Sequence, residues 1–396
     1  MKPNIIQRGE LALVVGYTYI LNFLLRILER VCFRKIKDPQ NILVFKGGNI
    51  GDIVCAVPSF IAIRRAYPGA RITLLTSPGA RGVPGAKELL QGAWYFDAID
   101  VYDSQDIDSL GKIFRFASRL REKHYDVFAH IPVHDWISFS TLVRNIFFAK
   151  LIGVKYAFGF RVRTIMGLFR KTQINFTLGE KEVASLLDML REYGITSERP
   201  EFDLPIPEDA EEAVAHALLG KWPTLSGGAE SMKHLLIAIH PGSKLTKKRW
   251  PPERFGAVAQ YLEKKYKAQF IIVGGEDDVS DARIISSFLN RKNVLITAGV
   301  SNVFETVAFL KRCDFLLGVD SGPMHIAAAF GRPTVALFSV ITILGKWFPY
   351  GENHEAVFHR FLNCDYRSAA CVKRGMELIT VEEVERACDR VIERLR

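Results

Sequence analysis

The chain has 396 residues, of which 48% are hydrophobic and 24% charged, with a net charge of +10. That composition excludes a disordered chain, the lack of a short repeat excludes a solenoid, and the length suits two domains better than one core. Six scattered cysteines, mostly inside apolar runs, exclude a disulfide framework and fit a reducing compartment. Cys364 and Cys371 are the only close pair and read as two thiols, because no second pair or nearby His couple completes a zinc site.

The first element is a hydrophobic helix. Residues 11–25, LALVVGYTYILNFLL, carry no charge and are followed by Arg26, Arg30, Arg34, Lys35 and Lys37. The run falls short of the roughly 20 residues a bilayer span needs and lacks a small-residue cleavage site behind it. Two readings of residues 1–37 stay open: an amphipathic helix in a membrane interface with its basic flank on lipid phosphates, or a helix packed on its own domain.

NILVF (41–45) reads as a buried strand, GDIVCAVPSFIAIRRAYP (51–68) as a helix stopped at Pro68-Gly69, and RITLLTS (71–77) as a second strand. That is a βαβ unit, hence a parallel sheet with a right-handed crossover. YDVFAHIP (125–132) and YAFGF (156–160) add strands, so 38–200 is one doubly wound domain. The turn FKGGNIGD (45–52) holds a puzzle: paired glycines after a strand usually cradle phosphate, yet Asp52 heads the helix, where it would repel one. A helix-capping role for Asp52 is the mundane answer.

Between Trp136 and Gly179 there is no acid, while Arg144, Lys150, Lys155, Arg161, Arg163, Arg170 and Lys171 fall inside. Such a field favours an anionic partner, unless it is only a solvated basic face. The interleaved Phe147, Phe148, Phe158, Phe160 and Phe169 read as core. Residues 201–233, rich in Pro, Gly, Ser and Glu around a short acidic helix, read as an interdomain linker.

The alternation then restarts. Strands at 234–242, 269–275, 293–299, 314–320 and 334–339 alternate with helices at 252–266, 281–290, 302–313 and 321–331, giving a second doubly wound domain over 234–375. A last helix, 380–395, within 376–396, is expected to pack back across the junction. Open α/β sheets bind ligands beyond their strand carboxyl ends, so two such domains facing each other would place a site in the cleft between them.

Three strand ends of the second half carry polar turns. HPGSKLTKKRWP (240–251) offers Ser243 with Lys244, Lys247, Lys248 and Arg249; VGGEDD (273–278) places Glu276 after two glycines; GVDSGPMHIAAA (318–329) groups Asp320, Ser321, Gly322 and His325 about a helix start. Free amides there make an anion site that needs no metal. Each turn alone is weak, since such turns often hold Gly and Ser for steric reasons; their convergence in one domain is stronger.

GGNIGDIVCAVP, HPGSKLTKKRWPPERF, IIVGGEDD and LLGVDSGPMHIAAAFGRPTVALF closely resemble the ADP-heptose:lipopolysaccharide heptosyltransferases of glycosyltransferase family 9, in the family's order and over roughly residues 41–385. The hydrophobic N-terminus lies outside it. The resemblance implies a GT-B architecture, two Rossmann-like domains with the acceptor in the first and the donor in the second. It implies inverting, metal-independent transfer of a heptose or related sugar from a nucleotide sugar, ADP-heptose above all, to a lipopolysaccharide core or similar phosphorylated glycolipid.

By the resemblance Asp52 is the catalytic base and Lys248 meets the donor diphosphate. Ser243 lies near the phosphates, Glu276 faces donor hydroxyls, and Asp320 reads the sugar. Ser321, Gly322 and His325 supply helix-start phosphate contacts; Gly48, Gly51 and Arg144 lie on the acceptor side; Trp250 and Pro251 are structural. The expected place of work is the cytoplasm, at the inner face of the cytoplasmic membrane, with no cofactor and no nucleic acid.

Three rivals remain for weighing. A dehydrogenase lacks its GxGxxG with an acid about 20 residues on. A metal-dependent transferase would want an aspartate pair near the donor, and DID (106–108) sits in the other half. A non-catalytic nucleotide-sugar or anion-binding protein of the same fold stays open as the alternative.

Overall fold

The protein is seen here as a computed structural model that describes residues 5–79, 84–103, 105, 107–132, 138–162, 181–223, 235–339, 345–359 and 374–396, with backbone alone for 5–15. It divides into two units, one closing at Asp203 and the other running from Leu204 onward, Lys181 being grouped with the second. Cys364, Cys371, Phe169, Arg163, Arg170, Lys171 and Asp106 lie outside the described residues.

In chain order the first unit runs α1 (Ile5–Cys32), β1 (Asn41–Phe45), α2 (Ile50–Ala66), β2 (Arg71–Thr76), α3 (Ala86–Leu89), β3 (Ala98–Val101), α4 (Leu110–Arg121), β4 (Val127–His130), α5 (Phe139–Leu151), β5 (Tyr156–Phe158) and α6 (Glu182–Arg191). The strands pair in parallel in the order β3-β2-β1-β4-β5. Successive strands therefore step outward from β1 to one side and then resume on the other at β4. Strand order reverses there, which opens a crevice at the carboxyl ends of β1 and β4. The α2 helix is apolar on all faces, and its residues from Asp52 to Ile63 are all buried, as a helix covered on both sides must be.

Helix α1 settles partly onto this unit. Leu21, Leu25 and, past the helix, Phe33 join Leu142, Ile146 and Ala149 of α5 in one cluster. Asn22 is locked to Val162 by two hydrogen bonds, accepting at 2.8 Å and donating at 3.0 Å. Glu29 is buried beneath the helix, where it accepts from the Tyr193 hydroxyl at 3.0 Å and from the Phe160 amide at 3.3 Å. Loss of hydration outweighs both bonds and lifts its pKa to about 7.

The second unit runs α7 (Glu208–Lys221), β6 (Leu236–His240), α8 (Pro252–Tyr266), β7 (Gln269–Ile272), α9 (Val279–Ser287), β8 (Val294–Ile296), α10 (Val303–Arg312), β9 (Phe315–Val319), α11 (Gly322–Ala329), β10 (Thr334–Leu337), β11 (Glu355–Val357) and α12 (Val381–Leu395). Its parallel sheet has the order β11-β10-β9-β6-β7-β8, so the reversal falls between β6 and β9. The acidic helix of the predicted linker is α7. It buries Ala210, Val214 and Leu218, and Glu211 pairs with Lys311 of α10 at 2.8 Å. The α12 helix lays Val384, Ala387, Cys388, Val391 and Ile392 into this unit's core.

The raised pKa of Glu29 makes a pH prediction. The folded state holds its proton more tightly than the unfolded chain, so the contribution of Glu29 to stability is full below about pH 4.5 and is lost as pH rises through 7. The melting temperature of the wild type is expected to fall between pH 5 and 8 relative to Glu29→Gln, which keeps both acceptor contacts without a titrating charge. Parallel melting curves for the two proteins would contradict this.

Candidate active site

In the first unit the reversal point is built from the turn after β1. Gly48 has φ +122°, and a Cβ there would stand 2.8 Å from Oδ2 of Asp52, so only glycine fits. Asn49 caps α2, and its amide donates to Asp52 Oδ2 at 2.8 Å. Asp52 is thus the third helical residue rather than the cap itself, and is only 6% exposed. A seat that a phosphate would otherwise take is filled by the chain's own carboxylate. That resolves the puzzle of a glycine turn with an acid behind it.

The neighbouring strand end braces this turn. Lys46, fully buried, donates to the Pro132 carbonyl at 2.7 Å. His130, the last residue of β4, is pushed down to about 4 by burial and is neutral near pH 7. Its Nδ1 faces the Gly159 carbonyl at 3.2 Å, which can only accept, so Nδ1 holds the proton and Nε2 accepts from the Asn145 amide at 3.1 Å. Gly51 occupies the second position of α2 and is half-buried. Arg144 is exposed on α5, where its charge acts on the Tyr102 phenol.

In the second unit three turns are drawn together by one residue that sequence reasoning passed over, Asp278. Its Oδ2 accepts from the Gly275 amide at 3.0 Å in the turn after β7. Its Oδ1 stands 3.0 Å from Nη2 of Arg249 in the turn after β6. Arg249 also donates to the Ser243 carbonyl at 3.1 Å, the Asp277 carbonyl at 3.2 Å and Asp281 at 2.9 Å. A Cβ on Gly242 would fall 2.1 Å from the Asp278 carboxylate, and one on Gly274 would fall 2.6 Å away. His240 links this cluster onward to the third turn. Burial lowers its pKa to about 4, its Nε2 lies 3.7 Å from Asp278, and its Nδ1 lies 3.0 Å from Ser321 Oγ. The serine hydroxyl spends its proton on the Val319 carbonyl at 3.0 Å, so it accepts from His240.

Lys248 Nζ donates to Asp320 Oδ2 at 2.7 Å, joining the ends of β6 and β9 at the reversal of strand order. Beside them Ser321 caps α11 without a side-chain bond to its amides, and Gly322 opens the helix. A cation, a carboxylate and a helix start thus stand where an open sheet receives an anion. His325 is buried on the first turn, its ring 6.2 Å from that of Trp347 and edge-on to it. Ser243 is half-buried and Glu276 is exposed just ahead of Asp278. Trp250 is wholly buried and donates to the Ile379 carbonyl at 3.1 Å, a structural role as expected. Among the described residues no group of three or more His, Cys, Asp or Glu gathers to hold a metal.

The sequence pattern of glycosyltransferase family 9 (heptosyltransferase) matches residues 113–376, more than half of the chain. The protein belongs to glycosyltransferase family 9. Lipopolysaccharide heptosyltransferase 3 of Escherichia coli K12 is 22% identical to it over 306 residues, covering 76% of this chain and 83% of the relative. Among solved structures, a family 9 glycosyltransferase from Veillonella parvula superimposes with a TM-score of 0.70 at 20% identity, covering 91% of this chain and 99% of the other. The ADP-heptose lipopolysaccharide heptosyltransferase II of Escherichia coli gives 0.61 at 19% identity, covering 90% and 100%. The fold is therefore GT-B, built from two doubly wound units.

For this family 9 chain the sequence singled out Lys248 and Asp320, which the structure brings into contact, and Glu276, which is exposed. Arg249 was named only as one of four cations in its turn, and Asp278 was missed. Asp278 lies in VGGEDD, a turn the sequence did mark, but there Glu276 was the acid singled out, and the tight GG was the only hint of close packing.

Gly242→Ala is expected to destabilise the second unit by about 1–3 kcal/mol, because the new methyl would displace the Asp278 carboxylate from the Gly275 amide and Arg249. Gly220→Ala, in α7 with nothing within 4 Å of the added carbon, is expected to be neutral or stabilising. Urea midpoints at constant m-value compare the two.

Proposed function

We propose that this family 9 glycosyltransferase moves a heptose from ADP-heptose to a hydroxyl of a lipopolysaccharide core or similar phosphorylated glycolipid, with inversion and without a metal. The observation that carries the reading is the Lys248–Asp320 pair beside the start of α11, at the one place in its sheet suited to a diphosphate. Relatives named as lipopolysaccharide heptosyltransferases, and a fold neighbour named for ADP-heptose, support the choice of donor and acceptor. Since the acceptor is a membrane lipid, the protein works at the cytoplasmic face of that membrane as a peripheral protein.

In this reading Asp52 takes the proton of the acceptor hydroxyl while its oxygen attacks the anomeric carbon, on the face opposite the diphosphate. The bond to the diphosphate breaks, and its electron pair leaves with ADP. Lys248 turns from Asp320 to the departing phosphates and offsets their charge, while Asp320 meets sugar hydroxyls. Ser243, Ser321, Gly322 and His325 complete the phosphate seat; Glu276 reaches the nucleoside or sugar hydroxyls. Gly48 and Gly51 let the acceptor approach the backbone, and Arg144 meets an acceptor phosphate.

The Asn49–Asp52 hydrogen bond favours a second reading, in which Asp52 only serves the capping of α2 by accepting from Asn49. Asp52→Asn separates the two, because asparagine keeps an acceptor oxygen for Asn49 but is no base. Donor affinity is expected to stay within about twofold of wild type while transfer falls by about 10²–10⁴. Retained transfer would assign Asp52 to capping alone, whereas absence of transfer in the wild type itself would favour the non-catalytic binding alternative.

Lys248→Ala is expected to lower turnover by about 10²–10³ and to weaken ADP binding in calorimetry. Transfer is expected to continue unchanged in EDTA. A rate that collapses in EDTA and returns with a divalent cation would overturn the metal-free mechanism.

A further inference from the structure

The two readings of the N-terminal helix divide between its faces. Leu21, Asn22, Leu25 and Glu29 hold one face of α1 to the first unit, and Lys150 donates to the Cys32 carbonyl at 3.0 Å to fix its end. The opposite face carries Tyr17, Ile20, Leu24, Ile27 and Val31 at alternating spacings of three and four, one stripe along the helix, with Phe23 at its edge. All six are exposed: Ile20 at 58%, Phe23 at 64% and Val31 at 78%. Apolar surface gathered this way on a helix that is pinned in place marks an interaction face rather than a stray exposed side chain.

We propose that this face of α1 docks the protein on the surface of an anionic lipid bilayer, the helix lying in the plane of the headgroups. The charge pattern selects that partner. Arg26 and Arg30 line one edge of the stripe, and Arg34, Lys35 and Lys37 follow it; all are exposed, and Arg26 also pairs with Glu192 at 2.5 Å. The single acid between residues 16 and 37, Glu29, is buried on the other face. An apolar stripe edged by cations fits acyl chains beside phosphates. A second copy of the chain meeting the same stripe would set Arg30 against like charge. Among the described residues no helix is long and apolar enough to cross a membrane, which agrees with a helix that lies on one. The proposal supplies the membrane partner of the transfer reading, yet its observations do not depend on the chemistry.

The test is flotation of the full chain with vesicles of phosphatidylcholine, with and without phosphatidylglycerol, in the absence of donor and acceptor. Wild type is expected to float with the anionic vesicles and to be released by high salt. The triple variant Ile20→Ser, Phe23→Ser, Ile27→Ser, altered only at exposed positions, is expected to keep its melting temperature and lose at least about tenfold in vesicle partition. No flotation of wild type, or equal flotation of the variant, would overturn the proposal. So would a wild-type dimer on gel filtration that the variant turns into a monomer without any change in flotation. Transfer to a soluble, delipidated core oligosaccharide is expected to be equal in the two proteins, so loss of docking and loss of the transfer reading give different results.

Discussion

One carboxylate sets the geometry of the second unit. Asp278 packs against the bare α-carbons of Gly242 and Gly274, accepts from the Gly275 amide, faces Arg249 and reaches His240. Through Arg249 it fixes the turn after β6, and through His240 and Ser321 the turn after β9. Lys248 and Asp320 meet at 2.7 Å because the turns that carry them are tied to this common point. An ion pair so largely removed from water needs such a frame, since its attraction repays lost hydration only in good geometry.

The first unit uses the same local device. Gly48 precedes Asp52 by four residues as Gly274 precedes Asp278, and in each turn Oδ2 accepts the amide three residues before the acid. In each unit the strand at the reversal also ends on a buried neutral histidine, His130 on β4 and His240 on β6. Burial keeps both uncharged, so each spends its ring on fixing neighbouring backbone and hydroxyl groups instead of adding charge to the crevice.

Much of this was legible in the sequence, for a plain reason. Strands buried on both faces are continuous apolar runs, so β1 was read at its observed limits and, among the described residues, nine of the eleven strands were recognised. The two that escaped, β3 and β11, are edge strands with half-exposed residues and an acid inside, and they lack the run that marks a core strand. The N-terminal helix gave two answers because both of its faces are apolar, and sequence alone does not say which one meets protein. The site was legible where a residue stands on a glycine turn. It was not legible at Asp278, whose partners Arg249 and Gly242 come from the turn after a different strand.

Self-capping of the first glycine turn sets the two units apart. The Asn49 amide is already committed to Asp52, whereas the start of α11 has no side-chain cap bond from Ser321. Two similar folds are thereby made chemically unequal at their strand ends, one closing its helix start with its own carboxylate and the other leaving it without a side-chain cap.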